Sequence, residues 1–177
     1  MRRFLSIFIC LFGITFLHAQ TAKTDTTVAA STLKSSADKM ASLFIKKDYL
    51  NYVNYIHPKI LKMVGGKDKM ITVIKGSLKQ TEDQGLTVTG VTIGNPAAII
   101  ISNTELQSVV PQMLHLKTAK GKLVAISYLI ATSANKGKTW YFIDVSNKTL
   151  QQMKTMFPNL SNKLVIPEKK APVFYNN

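Results

Sequence analysis

Apolar residues recur at helical spacing in the first part of the chain. A capping box, Ser35 with Asp38 three positions later, precedes this pattern and predicts a helix that starts at residue 35. The apolar positions of this first helix are Ala37, Met40, Ala41, Phe44 and Ile45. The residues before it, 21–34, are small, polar and rich in Thr and Ala, so we expect them to form a flexible lead.

Two more helices are predicted before residue 85. Asp48 has the position of an N-cap for a short second helix, which Pro58 ends because proline disfavours a helical His57. Residues 60–64 fit either a strand or a helix. After Gly65-Gly66, residues 67–82 predict a third helix. Its inward positions are Met70, Ile71, Ile74 and Leu78.

After Gly85 the pattern changes to the alternation that is typical of strands. The predicted strands are residues 86–93, 98–102, 105–110, 113–118, 123–131 and 139–145. Asn103-Thr104 predicts a tight turn, and Pro111 predicts a sheet edge or a bulge because it cannot donate a ladder hydrogen bond. We expect residues 123–131 and 139–145 to pair as a hairpin. A short helix over residues 150–156 and an extended tail over residues 166–177 follow.

Helices followed by a run of strands predict an α+β fold with one domain over residues 35–165. The element order resembles the nuclear transport factor 2-like superfamily, which includes ketosteroid isomerases. The resemblance lies in the helix pair broken at Asp48, in Gly65-Gly66-Lys67 before the third helix, and in the antiparallel strands up to about residue 146. It implies N-terminal helices packed on a curved, cone-like sheet with a pocket for small ligands. No catalytic residue of that superfamily is matched here by position.

The first twenty residues have the pattern of a secretory signal peptide. Arg2 and Arg3 precede an apolar run over residues 4–17, and a polar stretch follows residue 20. An apolar run of about 14 residues is short of the ~20 that a membrane span needs. We therefore predict cleavage near residue 20 and a periplasmic or extracellular protein without a transmembrane segment.

Removal of the signal peptide changes the available chemistry. The remaining 21 lysines and nine carboxylates give a formal charge of +12, while Cys10 and both arginines are lost. This charge predicts weak attraction to anionic surfaces. Specific nucleic-acid recognition is not expected, because phosphate and base contacts favour the bidentate fork of arginine. His57 and His115 alone cannot form a three-ligand site, so no metal and no cofactor are predicted.

One stretch resembles an Asp-box, S-x-D-x-G-x-T-W, with Asn135 in the aspartate position. Ser133, Asn135, Gly137 and Trp140 are then predicted to form a structural hairpin turn, in which the Asn side chain bonds to nearby backbone and Gly adopts a positive φ. The phosphate-loop fragment at Gly137 lacks the earlier glycine that such a loop requires. A nucleotide site is therefore not predicted here.

Candidate binding and catalytic residues come from tyrosine and carboxylate positions. Tyr49, Tyr52, Tyr55 and Tyr128 are candidates for lining a ligand pocket; amphipathic packing is the competing interpretation of the first three. The catalytic candidates are Asp144, which we expect to be half-buried, and His57. A structural alternative for Asp144 is bonding of the turn at residues 146–147.

These observations favour a non-catalytic exported domain that binds a small apolar or amphipathic ligand, or a protein partner, in a pocket between the helices and the concave sheet face. A cofactor-free isomerase or hydrolase is the catalytic alternative. Lysine-mediated binding to the cell envelope or to another anionic surface is the third.

Overall fold

The computed structural model describes residues 26–145 and 148–176; the predicted signal peptide, residues 21–25 and the expected turn at 146–147 lie outside this part. The helices are α1 Thr26–Ile45, α2 Tyr49–Tyr52, α3 Pro58–Val64, α4 Lys67–Asp83 and α5 Leu150–Met156, and a 3₁₀ turn at Val53–Tyr55 follows α2. The strands are β1 Thr87–Ile93, β2 Ile100–Ser102, β3 Glu105–Lys117, β4 Gly121–Ser133, β5 Tyr141–Asp144 and β6 Val173–Asn176.

The strands form one curled antiparallel sheet, which confirms the α+β prediction. Strands β3 and β4 lie at its centre and pair without a register shift from Leu106 opposite Ser133 to Lys117 opposite Lys122. Strands β1 and β2 both pair with the far side of β3. Strands β5 and β6 both pair with the outer side of β4.

Both faces of the sheet are covered near the β4–β5 hairpin. On one face, Leu129, Ala131 and Phe142 pack against α1. On the other face, Tyr128, Ile130 and Ile143 pack with α5 and the residues after it. This burial on two sides explains why residues 128–131 are an unbroken apolar run and not an alternating one.

Helix α1 begins nine residues earlier than the sequence pattern indicated. Ala29 and Leu33 are 2% and 0% exposed, so they extend the buried stripe that continues at Ala37. The prediction of a flexible lead is therefore wrong for residues 26–34, and so is a domain start at residue 35. The expected capping box lies inside the helix, where Asp38 instead forms an ion pair with Lys34 one turn earlier.

The other helix predictions are largely confirmed. The Asp48 side chain caps α2 by accepting a hydrogen bond from the Asn51 N–H at 3.3 Å. Residues 60–64, which fitted either element type, are helical in α3 because His57 caps that helix and Pro58 occupies its first turn. Gly65 and Gly66 separate α3 from α4 with φ angles of +92° and +107°.

The two strands predicted on either side of Pro111 form one continuous strand, β3. The Pro111 carbonyl accepts a hydrogen bond from the Gly94 N–H, directly after the end of β1. The backbone nitrogen of Pro111 therefore faces the chain between β1 and β2, where the ladder does not require an N–H donor from β3. Pro111 is therefore not in an edge strand: it lies in the central strand β3, opposite the point where the neighbouring strand β1 ends.

The Asp-box-like turn joins β4 to β5 as predicted. The Asn135 side-chain oxygen accepts hydrogen bonds from the Ser133 hydroxyl at 3.0 Å and from the Thr139 N–H at 2.9 Å. Gly137 has a φ of +85°. Trp140 is 1% exposed, and its indole N–H donates to Thr32 Oγ1 in α1 at 3.2 Å. The turn is therefore fixed to the first helix, in a structural role.

The residues after α5 return across the face of the sheet that α1 leaves uncovered. Gln107, which is completely buried, donates to the Asn159 carbonyl at 2.9 Å and accepts from the Ser161 N–H at 2.8 Å. The chain then runs without regular structure to β6. Two sets of hydrogen bonds thus hold the predicted extended tail to the sheet: those of Gln107 just before the tail, and those between β6 and β4 within it.

Candidate functional site

The outer edge of β4 is paired at both ends but not in the middle. Strand β5 pairs from Leu129 onward, and β6 pairs only as far as Val124. Within the described residues, no strand therefore pairs with the outer side of residues 125–127. We call these three residues the edge gap, and at about 3.3 Å per residue it is about 10 Å long.

The direction of the backbone at the edge gap follows from one hydrogen bond. The Val145 N–H donates to the Tyr128 carbonyl at 3.2 Å, so this carbonyl points to the outer side of β4. Backbone groups alternate along a strand, and the β3–β4 register has no shift here. The N–H and C=O groups of Ile126 therefore also point outward, into the gap between β5 and β6.

A groove of about 560 Å³ lies along the edge gap. Its apolar wall consists of Leu114, Ala125, Ile126, Tyr128, Val145, Leu150, Ile166 and Pro167. Its polar lining consists of Ser127, Asp144, Lys148, Thr149, Glu168 and Lys169. The volume is within the range of about 300–1,000 Å³ that is usual for small-molecule sites.

The groove is closed on one side by residues that return from far along the chain. Ile166 packs into the apolar cluster that contains Tyr128 and Val145, and residues 167–169 continue the wall. Leu114 and Ala125 lie opposite each other in the ladder. Each is four residues from a residue of the α1-side core, Val110 or Leu129, and therefore lies on the sheet face that α1 covers. The groove therefore reaches around the open edge of β4.

Two of the sequence candidates lie at this groove. Tyr128 is 9% exposed and lines it from the middle of β4. Asp144 lies at its rim, at the end of β5 opposite Leu129. The expectation that Asp144 is half-buried is wrong, because its side chain is exposed at the end of β5.

The remaining tyrosine candidates lie elsewhere. Tyr49 contributes to a cleft between α1 and α4, where burial and the charge of Glu82 raise the pKa of its phenol. Tyr55 lines a polar cleft near Trp140. Tyr52 packs against the α1-side core, where burial, followed by the negative charge of Asp144, raises its pKa to about 12. The phenol of Tyr52 therefore stays protonated at neutral pH.

His57 is a capping residue and lies outside the groove. Its Nδ1 accepts a hydrogen bond from the Lys59 N–H at 3.1 Å, and its ring forms a T-shaped pair with that of Phe157 at 5.1 Å between centroids. Burial lowers the pKa of His57, and the charge of Lys59 adds to this while Glu105 opposes it. The cap also needs the unprotonated nitrogen, so geometry and electrostatics both favour neutral imidazole.

Across residues 26–145 and 148–176, no three His, Cys, Asp or Glu side chains converge in a way that could hold a metal ion. In the same part of the chain, each helix is too short or too polar to cross a bilayer.

Sequence reasoning missed most of the groove. Leu150 begins α5, Lys148 and Thr149 directly precede it, and residues 166–169 were assigned to an extended tail. No local signal marks these residues as neighbours of Ile126, because their approach depends on the chain returning past α5. The stretch of apolar β4 residues was visible, but the break in its outer ladder was not.

No protein-family model, no curated protein and no solved structure matches this chain. The resemblance to the nuclear transport factor 2-like superfamily therefore stays a prediction.

Proposed function

We propose that this protein is a non-catalytic binding domain whose groove takes a small amphipathic ligand with an apolar chain and an amide-like polar end. The observation that carries this proposal is the coincidence of the edge gap with the apolar groove. The groove supplies area for an apolar chain, and the edge gap supplies a fixed backbone donor and acceptor.

The apolar half of the ligand would lie against Ile126, Val145, Leu150 and Ile166. These side chains are already part of the cluster between the sheet and α5, so their positions are fixed before a ligand binds. Burial of apolar area contributes about 25 cal/mol per Å² to binding, reduced by the entropy lost on association.

The polar half would meet the edge gap. Ile126 offers one N–H and one C=O on the same side of β4, which is the complement of a single amide group. Charges of both signs lie at the rim, with Lys148 and Lys169 beside Asp144 and Glu168. This mixture of charges favours a neutral polar group, which both donates and accepts hydrogen bonds. It does not favour a simple anion.

We also propose that the protein is exported and that its fold is of the nuclear transport factor 2-like type. The first proposal is supported by the signal-like pattern of residues 1–20. The second is supported by the helices that precede a curled antiparallel sheet. The groove at the edge of β4 has no lining residue from α1 to α4, so it differs in position from the pocket between the helices and the concave sheet face that we expected.

A catalytic alternative has one specific observation in its favour. Burial and, after it, the charge of Asp144 raise the pKa of Tyr52, so a carboxylate and a protonated phenol interact electrostatically there. General-base work of the isomerase type benefits from a desolvated carboxylate, and Asp144 is exposed. The balance therefore favours binding.

A matched pair of probes tests the proposed ligand. We expect a fluorescent N-acyl amide to bind, and the ester of the same chain to bind at least about tenfold more weakly because it lacks the N–H donor. Equal affinity for the two probes would show that the backbone of Ile126 plays no part.

A matched pair of variants tests the groove. Ile126→Trp fills the groove and should abolish binding of the amide probe. The control is Ile101→Trp in β2, where the native side chain is 59% exposed and distant in the fold from the groove, and which should leave binding unchanged. If the probe binds both variants equally, its site is elsewhere.

A further inference from the structure

Strand β6 presents an unusual edge to solvent. All four of its residues are exposed, and Val173, Phe174 and Tyr175 are 47%, 45% and 54% exposed. The strand pairs with β4 on one side, and within the described residues no strand pairs with its other side. Such an edge is a template for the addition of another strand.

The ladder determines which backbone groups are available on that edge. The backbone N–H and C=O groups of Lys122 and Val124 point to the outer side of β4, as the Tyr128 carbonyl does. Their partners in β6 are Tyr175 and Val173. The remaining β6 residues, Phe174 and Asn176, therefore direct their N–H and C=O groups away from the sheet. This geometry offers an incoming strand two donors and two acceptors.

The charges around β6 have mostly one sign. Five exposed lysines lie in or next to the β3–β4 turn and just before β6: Lys117, Lys120, Lys122, Lys169 and Lys170. Over residues 117–122 and 168–176 there is one carboxylate, that of Glu168. Lys122 lies directly opposite Tyr175 in the ladder, so the positive charge is in the same sheet as the apolar strand.

We infer that the β6 edge binds an extended segment of a partner protein, apolar in its centre and acidic at its flanks, by adding it to the sheet. The apolar centre would cover Val173 to Tyr175, and the acidic flanks would meet the surrounding lysines. A second copy of this chain fits less well, because its β6 would bring the same lysines against these. A lipid surface would leave the outward groups of Phe174 and Asn176 without strand partners.

The probe for this inference is a synthetic peptide of alternating valine and threonine between pairs of glutamates. We expect binding that weakens steeply as salt is raised, together with slower hydrogen exchange of the Phe174 and Asn176 amides. The same peptide with N-methyl groups on alternate residues should lose binding at least about tenfold, since it cannot form the ladder.

Matched lysine variants test the charge component. Changing Lys120, Lys122, Lys169 and Lys170 together to glutamine should weaken the peptide at least about tenfold. The control carries the same change at Lys62, Lys69, Lys75 and Lys79 on α3 and α4, and it should bind as the native protein does. Equal loss in both variants would indicate diffuse attraction and overturn the inference.

Three other outcomes would also overturn the inference. These are self-association of the protein in place of peptide binding, binding to anionic vesicles that competes with the peptide, and equal affinity for the N-methylated peptide. The Ile126→Trp variant should still bind the peptide, so failure at this edge and failure of the groove are separate results.

Discussion

The two ends of β4 differ in how their outer partner is held. At one end, β5 follows β4 through a short turn that packs on α1, and Ala131, Ser133 and Trp140 are all nearly inaccessible to solvent. At the other end, β6 arrives from the end of the described chain and every one of its residues is exposed. One end of the strand is built into the core, while the other is covered only by a ladder of backbone bonds.

The two ends of β4 therefore differ in burial: the end beside β5 belongs to the core, and the end beside β6 belongs to the surface. Regions with few buried apolar contacts open at low free energy, and binding sites are commonly drawn from them. The proposed binding edge of β6 fits this rule, whereas the groove is lined by side chains of the apolar cluster between the sheet and α5. The Asp-box-like turn lies at the buried end, which agrees with its structural role.

The largest effect is expected at the turn. Gly137 has a φ of +85°, and a Cβ there would lie 2.8 Å from the Ala29 Cβ. Gly137→Ala should therefore combine backbone strain with overlap against α1 and lower the free energy of unfolding by about 3 kcal/mol. Urea denaturation measures this change.

Gly85 supplies the control for that variant. Its φ is +77°, but no atom of residues 26–145 or 148–176 lies within 4 Å of the position a Cβ would take. Gly85→Ala carries the strain alone and should cost about 1 kcal/mol. Equal costs for the two variants would show that the turn is not held tightly against α1.

The difference between the two ends also explains what the sequence could predict. The hairpin, Gly137 and Trp140 were predicted because their chemistry is local to residues 133–140. The helix predicted over residues 150–156 likewise has the bounds of α5. The start of α1 was missed because its Thr and Ala residues resemble a linker, although Ala29 and Leu33 continue the spacing of Ala37.

The groove was not predictable in this way. It depends on Gln107 holding the chain at Asn159 and Ser161, and on Ile166 returning to the sheet. A glutamine in a strand pattern has no local feature that identifies it as buried. Tyr128 was named as a ligand residue from its strand alone, and the structure brings it together with Asp144 but not with the tyrosines near α2.

A smaller effect is expected from removing β6. A variant that ends at Pro172 loses residues 173–177, which include the four exposed residues of β6 and their ladder bonds. Among the described residues it loses no buried apolar side chain. Since a ladder bond contributes about 1 kcal/mol or less after exchange with water, we expect a net loss of about 1 kcal/mol in unfolding free energy. A loss larger than that of Gly137→Ala would contradict the view that this end is weakly held.

The smallest effect is a dependence on pH at the buried end, where the backbone N–H of His57 donates to the Phe142 carbonyl of β5. Burial lowers the pKa of His57 in the fold, Lys59 adds to the lowering, and Glu105 opposes it. In the unfolded chain this pKa is about 6.5, so the unfolded state takes up the proton first as pH falls. The contribution of neutral His57 to stability is therefore complete above about pH 6.5 and is lost as pH falls through the lower, folded pKa.

His57→Asn keeps an acceptor at the cap and removes the titration. Urea midpoints measured from about pH 7.5 to about pH 5 should fall less for this variant than for the native protein. Parallel pH profiles would show that protonation of His57 does not oppose folding.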